Sequence, residues 1–330
     1  MRKFLIAVVF LLGVIFVITR LAEVKEIVDT LKRGDIRYIL LALAVQAIWL
    51  LNIAASYQAI YRTLCIEEKL SSLFFMAAGA NFANVVAPTA GMSGVAVFAT
   101  EAKRRGYSPA LATLTGVLFV LFDYAGFLCI LAVGLIILLR RNNITSTEII
   151  ASGIFVILAS AITALLFLGL RSAEALGNVL TWLANHINRG LHPFIHHPYL
   201  SEVRAMEFAH DAAQGLTEIR RNPRNLVLPL ILALSSKTLL IIVLYLVFLA
   251  FKVPASVGTL IAGFSISYLF LIISPTPSGL GIVEGVLTLV LSSMYISLGA
   301  AAVITIAYRG ITFWLPLLLG AIALRFLHSD

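Results

Sequence analysis

Charged residues are scarce in this sequence. Only 12% of its 330 residues are Asp, Glu, Lys or Arg, while 61% are hydrophobic, and the mean hydropathy is +1.02. A soluble domain carries roughly 25% charged residues, so this composition excludes an ordinary soluble protein. The apolar segments are spread over the whole chain, which predicts a polytopic membrane protein.

Cysteines and catalytic motifs are also rare. The two cysteines, Cys65 and Cys129, lie far apart and form neither a CxxC motif nor another metal-ligand spacing, so we expect no disulfide and no metal site. No P-loop is present, which argues against the use of ATP, and no HExxH motif, DxD motif or Ser/His/Asp grouping suggests catalysis. We therefore expect a protein that is not an enzyme and that needs no cofactor.

Positive charge exceeds negative charge, with a formal net charge of +8. Lys and Arg gather in short loops, where they face the cytoplasm and the anionic headgroups of the membrane. No soluble basic module is present to carry nucleic-acid binding. The predicted partner of this positive charge is thus the membrane itself.

Apolar runs that suit a membrane span recur along the chain. A spanning helix needs about 20 apolar residues, and six candidates are residues 4–19, 38–60, 110–139, 149–170, 226–251 and 300–325. Two further apolar segments, residues 71–100 and 257–299, are interrupted by Pro and Gly. We predict an all-α integral membrane protein, a polytopic helical bundle with about six full spans plus two Pro/Gly-broken re-entrant hairpins in an inverted repeat. Eight full spans are the alternative.

The predicted organisation is a single transmembrane domain over residues 1–330. An N-terminal span and interfacial helix (1–35) precede the first repeat (36–170), a cytoplasmic polar linker (171–224) and the second repeat (225–330). No small-residue cleavage site follows the first apolar run, so we expect it to be retained as a span. The basic loops place the N- and C-termini in the cytoplasm, with the protein in the cell membrane.

The two breaks resemble copies of one device. The first contains Asn81, Asn84, Pro88, Gly91 and Gly94, and the second contains Pro277, Ser278, Gly279, Gly281 and Glu284. Each is followed, in a later apolar run, by a lone charge: Asp123 and Arg309 respectively. Unwound backbone and lone charges are costly in a bilayer and persist mainly where they line a cavity or face a ligand. Paired interruptions in two halves of a chain point to the central site of a transporter.

The second break has the chemistry of an anion site. A helix restarts near Ile282, and such a start presents free N–H groups and a positive dipole end to a phosphate or carboxylate. Glu284 either caps that dipole or faces the cavity and titrates. The planar guanidinium of Arg309 suits bidentate contact with phosphate, and its alternative role is a buried salt bridge with Asp123 or Glu284.

The remaining polar residues of the apolar segments have less specific roles. Asn81 and Asn84 share one helix face, where they either hydrogen-bond a headgroup or tie down the first break. Lys237 lies near the predicted start of a span, so we expect it to snorkel to the interface, with a place in the site as the less favoured alternative. With no ATP motif present, Asp123 or Glu284 can carry a proton to drive transport.

These motifs resemble those of a known family. The segment PSGLGIVE at residues 277–284, followed by AYRGITFWLP at 307–316, is similar to the C-terminal signature of the lysylphosphatidylglycerol synthase transmembrane-region family. The first break and residues 106–110 resemble its N-terminal signature. The resemblance implies a flippase-like protein that moves an anionic phospholipid or lipid-linked headgroup across the bilayer. The sequence ends at Asp330 without the synthase domain that some relatives carry, so we expect no synthase activity.

Two other functions remain open. A non-transporting membrane partner of a lipid-modifying or glycosyl-transferring enzyme would use the polar linker for docking. An intramembrane transferase or hydrolase would use Glu284, Asp123 or the His-rich part of the linker, but the sequence offers no catalytic motif to support it. Beyond the lipid, the predicted partners are a second copy of the chain or a membrane enzyme.

Overall fold

The structure, a computed structural model, describes residues 25–86, 92–104, 106, 109–141, 144–191, 202–274 and 276–327. These residues form helices and connections, and no β-strand occurs among them. The predicted first span at residues 4–19 lies outside the described part, as do the proline and histidine residues at 192–200.

Residues 25–31 are helical, and twelve longer helices follow within the described part of the chain. They are α1 (Ile36–Thr63), α2 (Leu70–Val86), α3 (Met92–Arg104), α4 (Pro109–Arg140), α5 (Ser146–Arg171), α6 (Ala173–Leu191), α7 (Glu202–Arg221), α8 (Val227–Ala250), α9 (Val257–Ile273), α10 (Ile282–Ser293), α11 (Leu298–Arg309) and α12 (Leu315–Leu327). A 3₁₀ turn, Pro277–Gly279, lies between α9 and α10, and a π-helical turn, Gly310–Trp314, joins α11 to α12.

Five of these segments are long and apolar enough to cross a membrane. They are Ile36–Thr63, Ala110–Arg140, Ser146–Arg171, Pro223–Ala250 and Leu298–Ala323. They coincide with five of the six predicted spans, so the prediction of a polytopic all-α membrane protein is confirmed. The last of them combines α11, the π-helical turn and α12.

Each Pro/Gly-broken segment forms a pair of shorter helices. The first pair, α2 and α3, has 17 and 13 residues, and the second pair, α9 and α10, has 17 and 12. At a rise of 1.5 Å per residue these arms are only about 18–26 Å long, less than the roughly 30 Å of a hydrocarbon core. Each pair is therefore a hairpin and not a pair of full spans.

The second hairpin begins and ends at one face of the bundle. Asp35 donates its backbone N–H to the carbonyl of Ala250 over 2.8 Å, which brings the start of α1 beside the end of α8. Arg141 contacts both Ser256, just before α9, and Met294, just after α10, at 3.2 Å each. We call this side, with residues 32–35, 251–256 and 294–297, the loop face.

The first hairpin begins and ends at the other face. Leu64 and Ile66, in the connection that precedes α2, pack in one cluster with Leu216 of α7 and Leu226 before α8. Leu111, at the start of α4, belongs to the same surroundings. We call this side, with residues 64–69, 173–191 and 202–226, the linker face. The two hairpins thus enter the bundle from opposite sides.

The helix contacts repeat between the two halves. Helix α1 packs against α8, and each hairpin packs against a spanning segment of the other half: α2 against α12, the second part of the last span, and α9 against α4. Within the halves, α3 contacts α4 as α10 contacts α11. Exchanging α1 with α8, α2 with α9, α3 with α10 and α4 with α11–α12 maps these contacts onto one another, which is the packing that an inverted repeat produces.

Polar side chains join α1 to α8 inside the apolar bundle. Trp49 Nε1 donates to Ser236 Oγ over 2.9 Å, and Asn52 Nδ2 donates to Ser235 Oγ over 2.6 Å. Such interhelical hydrogen bonds stabilise membrane bundles, in which lipid tails remove much of the hydrophobic drive for helices to associate. They hold the two halves together inside the bundle.

Candidate functional site

A cavity of about 280 Å³ lies between the two halves of the bundle. The first half contributes α1, α2 and α4, and the second contributes α8 to α11, the 3₁₀ turn and the π-helical turn. Aromatic side chains form much of the wall, and the polar side chains among its lining residues include Asn81, Asp123, Ser278 and Arg309. Residues that are far apart in the sequence thus meet in one membrane-embedded space.

The second break is a short stretch of left-handed backbone at the cavity. Ser278, Gly279 and Gly281 have φ angles of 50°, 69° and 79°. Glycine adopts this conformation at little cost, whereas a serine rarely does. Thr276 Oγ1 donates to the carbonyl of Leu280 over 3.1 Å, which ties the two sides of the turn together. The Pro/Gly signal in the sequence therefore corresponds to a specific unwound turn.

Helix α10 restarts after this turn with Glu284 in its first turn. The backbone N–H of Gly281 donates to Glu284 Oε2 over 2.7 Å, so the carboxylate satisfies one of the free donors at the helix start. Its other oxygen, Oε1, accepts from Arg309 Nε over 2.6 Å. Glu284 therefore caps the helix and pairs with the arginine at the same time.

Arg309 links α11 to both sides of the break. Besides its bond to Glu284, it donates from Nη2 to the carbonyl of Ser278 over 3.0 Å. Only 7% of the residue is exposed, and the guanidinium carbon lies 4.9 Å from the ring centroid of Phe313. Of the two acids considered as its partner, the structure places Glu284 and not Asp123 beside it.

Part of the guanidinium still faces the cavity. Arg309 is among the lining residues, and within the described part of the chain no hydrogen bond from Nη1 is found. A guanidinium carries five N–H donors in a fixed plane. Its remaining N–H groups can therefore donate hydrogen bonds to an oxyanion in the cavity. The planar guanidinium matches the geometry of a phosphate group.

The π-helical turn begins immediately after Arg309. Such turns are rare and often occur at functional sites, because the wider turn displaces the side chains around it. Gly310, its first residue, is buried, and a Cβ atom there would collide with Ile27 of the helical segment before α1. The close packing around Gly310 therefore helps to fix the position of Arg309.

Asp123 forms a second buried ion pair, with Lys237. The Lys237 Nζ lies 2.5 Å from Asp123 Oδ1 and 2.5 Å from the hydroxyl of Tyr268, and that hydroxyl donates to Asp123 Oδ2 over 3.0 Å. Asp123 belongs to α4 of the first half, whereas Lys237 and Tyr268 belong to α8 and α9 of the second. This cluster therefore joins the two halves at the cavity wall.

The prediction that Lys237 snorkels to the interface is wrong. The residue is only 1% exposed, and it lies ten residues after Val227, or about 15 Å along α8. From that depth the side chain does not reach the membrane surface, and Asp123 provides its counter-charge instead. Lys237 lies well inside the span Pro223–Ala250 and not near its start.

The predicted site residues are distributed around the cavity in different ways. Asn81, Asp123, Ser278 and Arg309 line it, Glu284 contacts Arg309, and Gly279 and Gly281 shape the turn. Gly94 lies in α3. Pro88 and Gly91, and the side chains of Asn84 and Pro277, are outside the described part of the structure.

Sequence reasoning missed two contributors to the site. Lys237 carried a usable signal, since a lone cation inside an apolar run is as costly as Asp123 or Arg309 and needs a partner. Tyr268 carried none, because an aromatic residue in an apolar helix is ordinary. In the described residues no group of three or more His, Cys, Asp or Glu side chains is placed to hold a metal ion.

Comparison with protein families gives a match over most of the chain. The family model described as the lysylphosphatidylglycerol synthase TM region matches residues 4–320 of the chain. The match includes both broken segments, both buried ion pairs and the cavity. No curated protein matches the chain.

Proposed function

This chain belongs to the lysylphosphatidylglycerol synthase TM-region family, and from that premise we propose that it moves an anionic lipid or lipid-linked headgroup between the leaflets of a cell membrane. Family membership identifies a membrane protein, whereas the movement of lipid is our proposal. The observation that carries it is the cavity between the halves, where Arg309 lies beside an unwound turn of membrane-embedded backbone.

The size and wall of the cavity suit a headgroup. Its volume of about 280 Å³ is at the lower limit of ordinary ligand sites, which occupy roughly 300–1,000 Å³. The space accommodates a phosphate with a small substituent, while the acyl chains stay in the surrounding lipid. Arg309 offers the phosphate charge-assisted hydrogen bonds, and Asn81 and Ser278 add polar contacts from the two hairpins.

The position of the cavity suits alternating access. Rocking of one half against the other would open it first to one leaflet and then to the other, as in transporters built from inverted repeats. The contacts across the halves include the ion pair of Asp123 with Lys237 and the hydrogen bonds of α1 with α8. A transport cycle must preserve or exchange these contacts.

The same side chains give less support to an enzyme. Both oxygens of Asp123 accept hydrogen bonds, and Glu284 is paired with Arg309. The pairing of a buried cation accounts for each carboxylate without a catalytic role, and the sequence offers no catalytic motif. We therefore infer that the protein is a transporter and not an intramembrane transferase.

The experiment is leaflet exchange in liposomes that contain the purified protein and fluorescent anionic phospholipids. We expect the wild-type protein to accelerate exchange and Arg309→Ala to remove the acceleration. Arg309→Lys should retain folding but slow exchange by at least tenfold, because an ammonium group does not reproduce the planar fork of the guanidinium. The matched control is Arg171→Ala, which removes an exposed arginine at the end of α5.

Two results would contradict lipid movement through this cavity. Exchange that is equally fast in the wild-type protein and in Arg309→Ala would exclude Arg309 from the path. No acceleration with any of several anionic headgroups would favour a non-transporting membrane partner of a lipid-modifying enzyme. For that role, α6 offers a surface on which Trp182 and Leu183 are exposed.

A further inference from the structure

We propose that Glu284 binds a proton when the anionic headgroup binds at Arg309, so that proton and anion enter the cavity as a neutral pair. This inference rests on the proposed function and adds a second ligand, the proton, to the same site. It follows from the balance of charges around the cavity and from the different surroundings of the two carboxylates.

The charges at the cavity are balanced before any ligand binds. Arg309 pairs with Glu284 at 2.6 Å, and Lys237 pairs with Asp123 at 2.5 Å, so the formal charges of the two pairs sum to zero. An anionic headgroup that binds to Arg309 adds one negative charge to this buried cluster. An uncompensated charge is costly in a membrane interior. Uptake of one proton by one of the two carboxylates restores neutrality.

Asp123 is the less suitable carboxylate for this proton. Its two oxygens accept from Lys237 and Tyr268, and Lys237 is only 1% exposed. Protonation of Asp123 would leave the lysine as an unpaired buried cation. Breaking one side of a buried ion pair in this way is strongly destabilising.

Glu284 lacks that penalty when an anion is present. Its side chain is 28% exposed, and its Oε1 accepts from the same guanidinium that faces the cavity. A proton on Glu284 weakens its ion pair with Arg309, and the incoming phosphate then replaces the carboxylate as the counter-ion of the arginine. Arg309 therefore has one negatively charged partner both before and after the anion binds.

Among the described residues, the elements packed around Glu284 bring Arg309 to it as a charged neighbour. Helix α11 carries Arg309 and Tyr308, and α9 carries Tyr268, which is already bonded to Asp123 and Lys237. Helix α2, which contacts the 3₁₀ turn, has no ionisable side chain, and neither does the π-helical turn. The binding of an anion to the Arg309 guanidinium therefore determines whether the charged or the protonated form of Glu284 is favoured.

Linkage fixes the direction of the pH effect. If the protonated form of Glu284 favours the anion, anion affinity rises as the pH falls, and anion binding in turn takes up protons. One proton per anion limits the change in affinity to at most about tenfold per pH unit. The ratio of protons to anions is thus between zero and one at any given pH.

The test is calorimetric titration of the purified full chain in detergent with a soluble short-chain probe, dihexanoylphosphatidylglycerol. Titrations across about pH 5–8, in buffers of different ionisation enthalpy, report both the affinity and the number of protons taken up. We expect proton uptake in the wild-type protein. We expect Glu284→Gln to bind the probe without proton uptake and with an affinity that no longer depends on pH.

The chain contains a matched control for the loss of a capping carboxylate. Glu148 occupies the same position in the first turn of α5 and accepts from the backbone N–H of Thr145, but it has no contact with Arg309. Glu148→Gln should lose the cap and keep the pH dependence. A loss of pH dependence in both variants would attribute the effect to helix capping and overturn the proposal.

Each remaining outcome separates the proton site from the proposed function. Binding with no proton uptake in the wild-type protein overturns the role of Glu284 and leaves anion transport standing. No binding at any pH contradicts the anionic substrate itself. Loss of the pH dependence in Asp123→Asn, but not in Glu284→Gln, assigns the proton to Asp123 and overturns the proposal. The wild-type proton count needs no variant, so misfolding of Glu284→Gln does not obscure the result.

Discussion

Three lone charges in apolar helices account for much of the chemistry of this protein. Arg309 pairs with Glu284 within the second half, whereas Asp123 and Lys237 pair across the two halves. The two pairs differ in their surroundings as well as in position. The first leaves part of a guanidinium facing the cavity, and the second uses both oxygens of its carboxylate internally. The first pair therefore suits ligand binding and the second suits assembly.

A double-mutant cycle tests the structural role of the second pair. Lys237→Met should lower the free energy of unfolding by about 3–5 kcal/mol, because it leaves Asp123 as an unpaired, largely buried charge. The double variant Asp123→Asn/Lys237→Met removes both charges and should recover most of that loss. The measurement is denaturant unfolding in detergent micelles. A double variant as unstable as Lys237→Met alone would show that the carboxylate does not depend on the lysine.

How far the site could be predicted differs from residue to residue. Arg309 and Asp123 were predicted as site residues because a lone charge in an apolar run needs a reason. Their partners followed less directly, since the choice between Asp123 and Glu284 for Arg309 depends on how the π-helical turn and the break approach each other. The distances of 2.5–2.6 Å within the two ion pairs result from tertiary packing, which no local sequence pattern predicts.

At the scale of the element, the unwound turn between α9 and α10 positions the site. Its backbone supplies the Ser278 carbonyl to Arg309, and its end supplies the N–H that Glu284 caps. Proline and glycine in the sequence predicted the interruption, because neither favours a continuous helix. The π-helical turn after Arg309 was not predicted, since its residues, GITFW, carry no comparable signal.

Two glycines near this turn allow a matched test of its geometry. Gly279 has a φ of 69°, and a Cβ atom there would collide with the Val283 side chain. Gly279→Ala should therefore destabilise the protein by about 1–2 kcal/mol or more, the usual cost of left-handed backbone in a residue with a Cβ. In Gly285→Ala, nothing lies within 4 Å of the new Cβ, so stability should be unchanged or slightly higher.

Thermal unfolding and leaflet exchange of the two glycine variants separate stability from function. We expect Gly279→Ala to lower both the melting temperature and the exchange rate, because the displaced turn moves the Ser278 carbonyl away from Arg309. Equal behaviour of the two variants would show that the turn tolerates a side chain. The left-handed geometry would then have no role in positioning the arginine.

At the scale of the whole molecule, the architecture follows from repetition. The apolar runs predicted the spans because a bilayer demands about 20 apolar residues in each helix. The broken segments predicted the hairpins. The contact of α2 with α12 and of α9 with α4 is a property of the assembled bundle, in which each hairpin fits against the other half. No local sequence pattern predicts that each hairpin packs against the other half. This packing creates a cavity with walls from both halves.

The opposite directions of the two hairpins make a prediction about membrane sidedness. Cys65 lies in the connection before α2, at the linker face, and is exposed. Tyr295 lies just after α10, at the loop face, and is 91% exposed. If the basic linker lies in the cytoplasm, as its charge predicts, a membrane-impermeant maleimide added to intact cells should label Tyr295→Cys in a Cys65→Ala/Cys129→Ala background. Cys65, in a Cys129→Ala background, should react only after the membrane is opened.

The two labelling patterns are informative together because each is the control for the other. The reverse pattern, with Cys65 labelled from outside and Tyr295→Cys protected, would invert the orientation and keep the hairpins on opposite sides. Labelling of both positions from the same side would contradict the opposed hairpins. The proposal of alternating access would then lose its structural support in this protein, because it rests on two hairpins that enter one cavity from opposite faces.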